Sequence, residues 1–166
     1  MMTSKAQITF IKYANSDASI GNYFSYGKDL FKHKVDVYRA GRQLDVPRIT
    51  LLKHDIDKLL PSSFVPYTKW FYGSKGIKGT KDPKVKKEWR EAVQNHYIRN
   101  PHHANKVGGT KDVKTELESL ADWFSASARS EGYKKDFPSF REWVLPRLDS
   151  FNISKDAKQI VKEMLL

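Results

Sequence analysis

The chain has 166 residues, enough for one domain, and its 39% hydrophobic and 13% aromatic content can supply a core, which argues against wholesale disorder. It contains no cysteine, which excludes disulfides and thiolate metal sites and fits a reducing cytosol. Its net charge of +11 favours partners that carry phosphate, either a phosphate-containing small molecule or a nucleic acid.

The N-terminal residues lack the basic segment, apolar run and small-residue cleavage site of a secretory signal. No stretch approaches the roughly 18 consecutive apolar residues that a membrane span needs. We therefore expect a cytoplasmic protein with no membrane contact. Whether it is a monomer or a dimer stays open.

The first half of the chain predicts two helices after a short arm. Residues 6–13, "AQITFIKY", are β-branched and predict an extended arm or a lone strand. Apolar residues recur at helical spacing from about Ile20, with Gly41 as a plausible end. A second helix should begin near Pro47 and run to about Leu60.

The second half alternates loops and helices. Prolines and glycines in residues 61–82 predict a loop, with one turn around "YTKWFYG". Asp82-Pro83 should begin a helix that runs to about Tyr97, before a loop over 99–112. Residues 112–130 form the clearest amphipathic pattern, and shorter helices should lie near 137–147 and 153–165. We therefore predict an all-α fold, a single domain over 1–166 with about five to seven helices.

The segment "ITLLKHDIDKLLP" carries the chemistry that stands out. Its aliphatic residues surround His54 and Asp55 on nearly every side of the predicted helix. A helix that is apolar all round is expected to be buried, so the His-Asp pair should be buried as well. A buried charge must be paired or must bind a metal. The simpler alternative is a local pair between Asp55 and Lys58, worth only about 0.3–0.5 kcal/mol when exposed.

"LLKHDIDK" resembles the signature of the HD-domain superfamily, in which an adjacent His-Asp binds a divalent metal. The family pattern also has an earlier histidine, sometimes two further histidines, and a late aspartate. His33, His96, the "NPHH" segment (100–103) and Asp122 follow that order. The departure is Asp57, where many members of the superfamily have glycine. The resemblance implies an HD-like helical bundle.

A second resemblance is to a family of small phage and bacterial proteins of unknown function. It covers roughly residues 28–127, with the C-terminal helices 137–165 packing on that core. The resemblance is carried by four blocks in order: "FKHKVDVYRAG", "KHDIDKLLPSSFVPYTKWFYG", "EWREAVQNHYIRNPHH" and "LADWFSAS". It implies that the four blocks form one site. It also implies that the protein is located in the host cytoplasm if the chain is phage-encoded.

The resemblances imply a divalent metal held by imidazole and carboxylate groups, a donor set that suits Mn, Fe, Co, Ni or Zn. One or two ions are expected, with Asp55 as the bridge if there are two. The predicted metal ligands are His33, His54, Asp55, His96, His102, His103 and Asp122. Each has a plain alternative: His33 as a core histidine and Asp122 as a surface carboxylate, for example.

Three residues are predicted to be catalytic: Asp55, Asp57 and Lys58. Lys58 would neutralise the charge of a phosphate oxygen. Asp57 would act as a general base or would orient a metal ligand. The predicted phosphate contacts are Lys53, Lys58, Lys75, Lys78 and Arg99. These residues predict a metal-dependent phosphohydrolase, a phosphomonoesterase or phosphodiesterase acting on a nucleotide or related ester. Two alternatives remain open: a di-iron oxygenase of the HD type, and a non-enzymatic module that binds nucleic acid or a partner.

Overall fold

The computed structural model describes residues 17–77, 79 and 81–166, so the predicted N-terminal arm (6–13) lies outside the described residues. Within that part of the chain the structure is helical and has no strand, which confirms the all-α prediction. The α-helices are α1 (Ile20–Gln43), α2 (Arg48–Lys53), α3 (Pro61–Tyr72), α4 (Pro83–Arg99), α5 (Val113–Ser130), α6 (Phe140–Val144) and α7 (Lys155–Leu165). Three 3₁₀ turns connect them: Ile56–Leu59, Pro101–Val107 and Leu145–Ser150. None of the described helices is long and apolar enough to cross a membrane.

The chain divides into two compact units. Among the described residues, unit 1 comprises 17–30 and Asp55–Arg99, and unit 2 comprises Phe31–His54 and Asn100–Leu166. One boundary therefore falls at the peptide bond between His54 and Asp55. The prediction of a single HD-like domain stays a prediction.

Unit 2 contains the larger core, built around α5. Each of its shorter C-terminal helices begins at a serine cap: Ser139 forms a capping box with Glu142, and Ser154 accepts from the Ala157 amide. Asp112 caps α5 in the same way by accepting from the Thr115 amide. The buried residues of this core include Val37, Leu44, Leu51, Leu117, Leu120, Ala121, Phe140, Trp143, Val144, Leu148, Val161 and Leu165.

Unit 1 is built on the packing of α3 against α4. Tyr26 and Tyr67 are buried together with Ala92 of α4. Trp70 of α3 stacks on Trp89 of α4 with ring centroids 4.8 Å apart. Such a pair adds about 0.5–1.5 kcal/mol beyond the burial of its area.

The predicted loop over 61–82 is wrong for its first twelve residues, which form α3. Pro61 occupies the first turn of that helix, where a missing N–H costs nothing. Pro66 lies inside the helix, so two prolines that predicted a break are both accommodated. The other boundary errors are smaller: α1 continues two residues past Gly41, and the helix predicted at 137–147 is α6 followed by a 3₁₀ turn.

The predicted continuous helix from Pro47 to Leu60 is also wrong. Helix α2 ends at Lys53, and Asp55 adopts a left-handed conformation with φ of 55°. This residue reverses the chain before the 3₁₀ turn. His54 and Asp55 therefore leave the backbone at a break between two short helical segments, and they do not follow one another on a helix.

His54 and Asp55 are buried as predicted, at 2% and 0% exposed. Of the six aliphatic residues around them that were predicted to be buried, only Leu51 is buried. The other five are 47–60% exposed: Ile49, Leu52, Ile56, Leu59 and Leu60. Burial of the polar pair therefore does not follow from a helix that is apolar all round.

Gly41 gives a test of the packing between α1 and α2. A Cβ at this position would lie 2.4 Å from Leu51 Cδ2, a buried core atom. Gly41→Ala is therefore expected to lower the free energy of unfolding by about 1–3 kcal/mol, because the core must shift. The control is Gly27→Ala in the same helix, where the nearest atom is 3.7 Å away. That change should be neutral or raise stability by up to about 1 kcal/mol, and equal effects of both changes in urea unfolding would contradict the packing.

Candidate metal centre

Three side chains of unit 2 converge from three helical elements. His33 lies on α1, His54 follows the end of α2, and Asp122 lies on α5. All three are buried, with 4%, 2% and 7% of their surfaces exposed. All three belong to the predicted set of metal ligands.

The donor atoms of these residues form a small triangle. Asp122 Oδ1 lies 3.3 Å from His33 Nε2 and 3.6 Å from His54 Nε2. The two Nε2 atoms are 3.3 Å apart. A point about 2 Å from all three atoms exists at the centre of such a triangle, which matches the roughly 2.0–2.2 Å bonds that zinc forms with imidazole and carboxylate. The three residues therefore fit a metal ion without rearrangement.

The outer nitrogens of both histidines are engaged. His54 Nδ1 lies 2.9 Å from Glu118 Oε1, and a carboxylate can only accept, so Nδ1 carries the proton. His33 Nδ1 lies 2.9 Å from Ser125 Oγ, which donates its own hydrogen to the His33 carbonyl oxygen at 3.3 Å. The Nε2 atoms of His33 and His54 both face the Asp122 carboxylate. Metal-binding histidines have this pattern of outer hydrogen bonds.

Glu118 is the residue that sequence reasoning missed. It is buried and contacts two histidines, His54 and also His102, whose Nδ1 lies 3.3 Å from Oε1. Burial alone would raise the pKa of Glu118, but hydrogen bonds from His102 and His54 outweigh it and lower that pKa to about 2. Its position four residues before Asp122 places both carboxylates on one face of α5, a signal that was available in the sequence.

Removal of the Glu118 charge gives a second prediction. Glu118→Gln is expected to weaken metal affinity about 10- to 100-fold, because an amide no longer fixes the Nδ1–H form of His54. Isothermal titration with Zn²⁺ would measure the loss. The matched control is Glu163→Gln, an exposed glutamate on α7 that should leave affinity unchanged. Wild-type affinity in the Glu118 variant would show that this carboxylate does not support the centre.

The "NPHH" segment (100–103) supplies two further histidines to unit 2. His102 is buried in the 3₁₀ turn, and its carbonyl oxygen accepts from Ser119 Oγ at 2.9 Å. His103 is partly exposed, and its Nε2 lies 4.0 Å from the second oxygen of Asp122. His54, His102 and Glu118 form a second group of three donors close enough to hold a cation.

Unit 1 has its own buried polar cluster, formed by Asp55, Asp57, Lys58 and His96. Lys58 Nζ forms a short ion pair with Asp55, which is the simple local pairing that the sequence left open. His96 lies between the two carboxylates: its Nε2 is 3.3 Å from Asp55 Oδ1 and its Nδ1 is 3.0 Å from Asp57 Oδ2. The prediction that Asp55 and His96 bind metal stays a prediction.

The structure describes four of the five predicted phosphate contacts, and Lys58 is paired with Asp55. Lys75 Nζ lies 3.0 Å from Asp17 Oδ1, and the hydrogen bond and charge of Asp17 raise the pKa of Lys75. Lys53 and Arg99 are exposed at the last residues of α2 and α4. Lys78 lies outside the described residues.

Comparison with known proteins identifies a matching family, but it does not identify an activity. Neither the curated proteins nor the solved structures include a match to this chain. Residues 22–166 match DUF5662, which is described as a family of unknown function. That range covers the predicted motif blocks and the whole of α5 to α7. The chain is therefore a member of the DUF5662 family.

Proposed function

We propose that the protein is a metal-dependent phosphohydrolase that acts on a nucleotide or a related phosphate ester. The observation that carries the proposal is the triangle of His33 Nε2, His54 Nε2 and Asp122 Oδ1. An ion at the centre of this triangle would be ligated by two imidazole nitrogens and one carboxylate oxygen, which lie 3.3–3.6 Å from one another.

Imidazole and carboxylate donors suit a divalent ion such as Mn²⁺, Fe²⁺, Co²⁺, Ni²⁺ or Zn²⁺. Three protein ligands leave coordination positions open, which is typical of catalytic sites and not of structural ones. When bound, such an ion lowers the pKa of a water molecule and polarises a phosphoryl group. The sequence adds Asp55 as a predicted ligand, and as the predicted bridge to a second ion bound by His96 and by His102 or His103.

The chain's own residues hold this arrangement in place. Glu118 and Ser125 fix the ring orientations of His54 and His33, so the donor atoms are directed inward before any ion binds. Burial of the donors excludes water, which strengthens electrostatic interactions inside the site. These contacts support a preorganised centre.

Phosphate as the substrate group is supported by charge and by the motif. The net charge of +11 attracts anions from solution. Lys58 has three N–H donors, of which Asp55 uses one, so the ammonium group has donors left for a phosphate oxygen. The resemblance of "LLKHDIDK" to the HD signature points to the same chemistry.

The test begins with the metal content of purified protein. Activity is then assayed on a panel of nucleotides and a generic phosphodiester, with added Mn²⁺, Ni²⁺ or Co²⁺ and after chelation. Phosphate release that requires the added ion and stops on chelation would support the proposal. Metal-free protein that binds oligonucleotides with a steep salt dependence, and that hydrolyses nothing, would favour a nucleic-acid-binding module instead.

A second candidate function rests on the same triangle. Two histidines and one carboxylate with open positions are also the donor set of non-haem Fe(II) oxygenases. Stoichiometric iron with a charge-transfer absorption, and no turnover of any phosphate substrate, would favour an oxygenase. We rank the hydrolase first because the basic charge and the HD-like motif both favour phosphate.

A further inference from the structure

We infer that Asp57 is a positioning residue, which fixes the orientation and the tautomer of His96 and does not act as a general base. The inference deepens the proposed function, and rests on it for the role of His96 as a metal ligand. Asp57 is the residue that departs from the HD-like motif, where glycine is common. Its place in the structure explains what a carboxylate does there.

Asp57 is brought to His96 by the break in the chain. The left-handed φ of 55° at Asp55 begins the 3₁₀ turn, and the turn directs Asp57 inward, where it is only 7% exposed. His96 lies on α4 on the same face as Val85 and Ala92, and it is 1% exposed. Both partners are therefore removed from water, where a carboxylate requires a donor.

Both oxygens of Asp57 contact a single atom. Oδ1 lies 3.1 Å and Oδ2 3.0 Å from His96 Nδ1, which are hydrogen-bond distances. A carboxylate accepts and cannot donate, so His96 Nδ1 carries the proton. Asp57 therefore uses both oxygens on His96, which leaves it poorly placed to take a proton from a substrate.

The contact with Asp57 also fixes the direction of the other ring nitrogen of His96, Nε2. With Nδ1 directed at Asp57, the second ring nitrogen, Nε2, faces Asp55 Oδ1 at 3.3 Å. This separation exceeds the usual 2.7–2.9 Å of a charge-assisted hydrogen bond and resembles the spacing of two ligands on one ion. Asp57 thus orients the ring of His96 by accepting from its Nδ1, as Glu118 orients the ring of His54.

The test determines the tautomer of His96 by long-range ¹H–¹⁵N NMR of the histidine rings in the chelator-treated full chain. In the wild type we expect the proton of His96 on Nδ1. In Asp57→Asn the side-chain amide can either accept from Nδ1 or donate to it, so we expect a mixture of the Nδ1–H and Nε2–H forms. Phosphate release should fall roughly 10- to 100-fold in the same variant.

Asp136→Asn is the matched control, since Asp136 is exposed and the chemical change is identical. Its His96 signals and its activity should equal those of the wild type. Wild-type protein with the proton on Nε2 of His96 would overturn the inference, and so would an unchanged tautomer in a folded Asp57→Asn. The wild-type measurement needs no variant and no turnover, so a failure of the proposed hydrolase activity would be seen separately.

Discussion

Asp122→Asn is expected to lower kcat/KM for phosphate release by roughly 100-fold or more. The change keeps the size of the side chain but removes the anionic oxygen at one corner of the triangle. It also places an amide near His33 Nε2 and His54 Nε2, where neither nitrogen can be a metal ligand while it accepts from that amide. The rate of phosphate release with saturating Mn²⁺ or Co²⁺ would measure the loss.

The control for this change is again Asp136→Asn, an exposed aspartate of the same unit. It should retain the wild-type rate, and circular dichroism should show that both variants remain helical. If Asp122→Asn hydrolysed substrate as fast as the control, Asp122 would have no part in the chemistry.

Metal loading is expected to stabilise the fold. An ion present at about 100 times its Kd raises the free energy of unfolding by about 2.7 kcal/mol. For a chain of this length that corresponds to a rise in Tm of roughly 5–10 °C. Differential scanning calorimetry of chelator-treated protein, titrated with Zn²⁺ or Mn²⁺, would measure it. A tenfold loss of affinity in a ligand variant should reduce the gain to about 1.4 kcal/mol at the same ion concentration.

His33→Ala and Asp136→Asn together test whether the stabilising ion lies at the triangle. The first removes a donor and should lose part of the metal-dependent rise in Tm, and the second should keep all of it. An identical rise in both variants would place the stabilising ion somewhere other than at the triangle. No rise in the wild type would mean that the folded chain does not bind the ion preferentially.

Local signals in the sequence predicted most helices. The amphipathic pattern of residues 112–130 predicted α5 within one residue of its observed start. Asp82-Pro83 predicted the start of α4. Both succeed because caps and apolar periodicity act within a few residues of the chain.

The failures lie where tertiary contacts decide the backbone. Asp55 takes a left-handed conformation that aspartate adopts only at a cost, and no neighbouring glycine or proline signals the break. Pro66 predicted a loop, yet α3 continues through it because its buried residues pack in unit 1. Because residues from Ile49 to Leu60 do not form one continuous helix, the helical pattern wrongly predicted that the exposed aliphatic residues in this range are buried.

The candidate site was predictable in part. The resemblance to the HD signature pointed to His33, His54 and Asp122, and the structure brings these three side chains together. Glu118 was missed since a carboxylate on an amphipathic helix usually faces solvent. Only the structure shows that it lies inside, against His54 and His102. The pairing of Asp57 with His96 was likewise hidden, because it joins residues 39 positions apart.

The most direct test of the metal centre is X-ray absorption on protein loaded with one equivalent of Zn²⁺ or Co²⁺. The triangle predicts scattering from at least two imidazoles together with oxygen donors at roughly 2.0–2.2 Å. Asp122→Asn should lose this signature or bind the ion far more weakly. A bound ion with no imidazole scattering, or an unchanged spectrum in Asp122→Asn, would contradict the assignment of His33, His54 and Asp122 as its ligands.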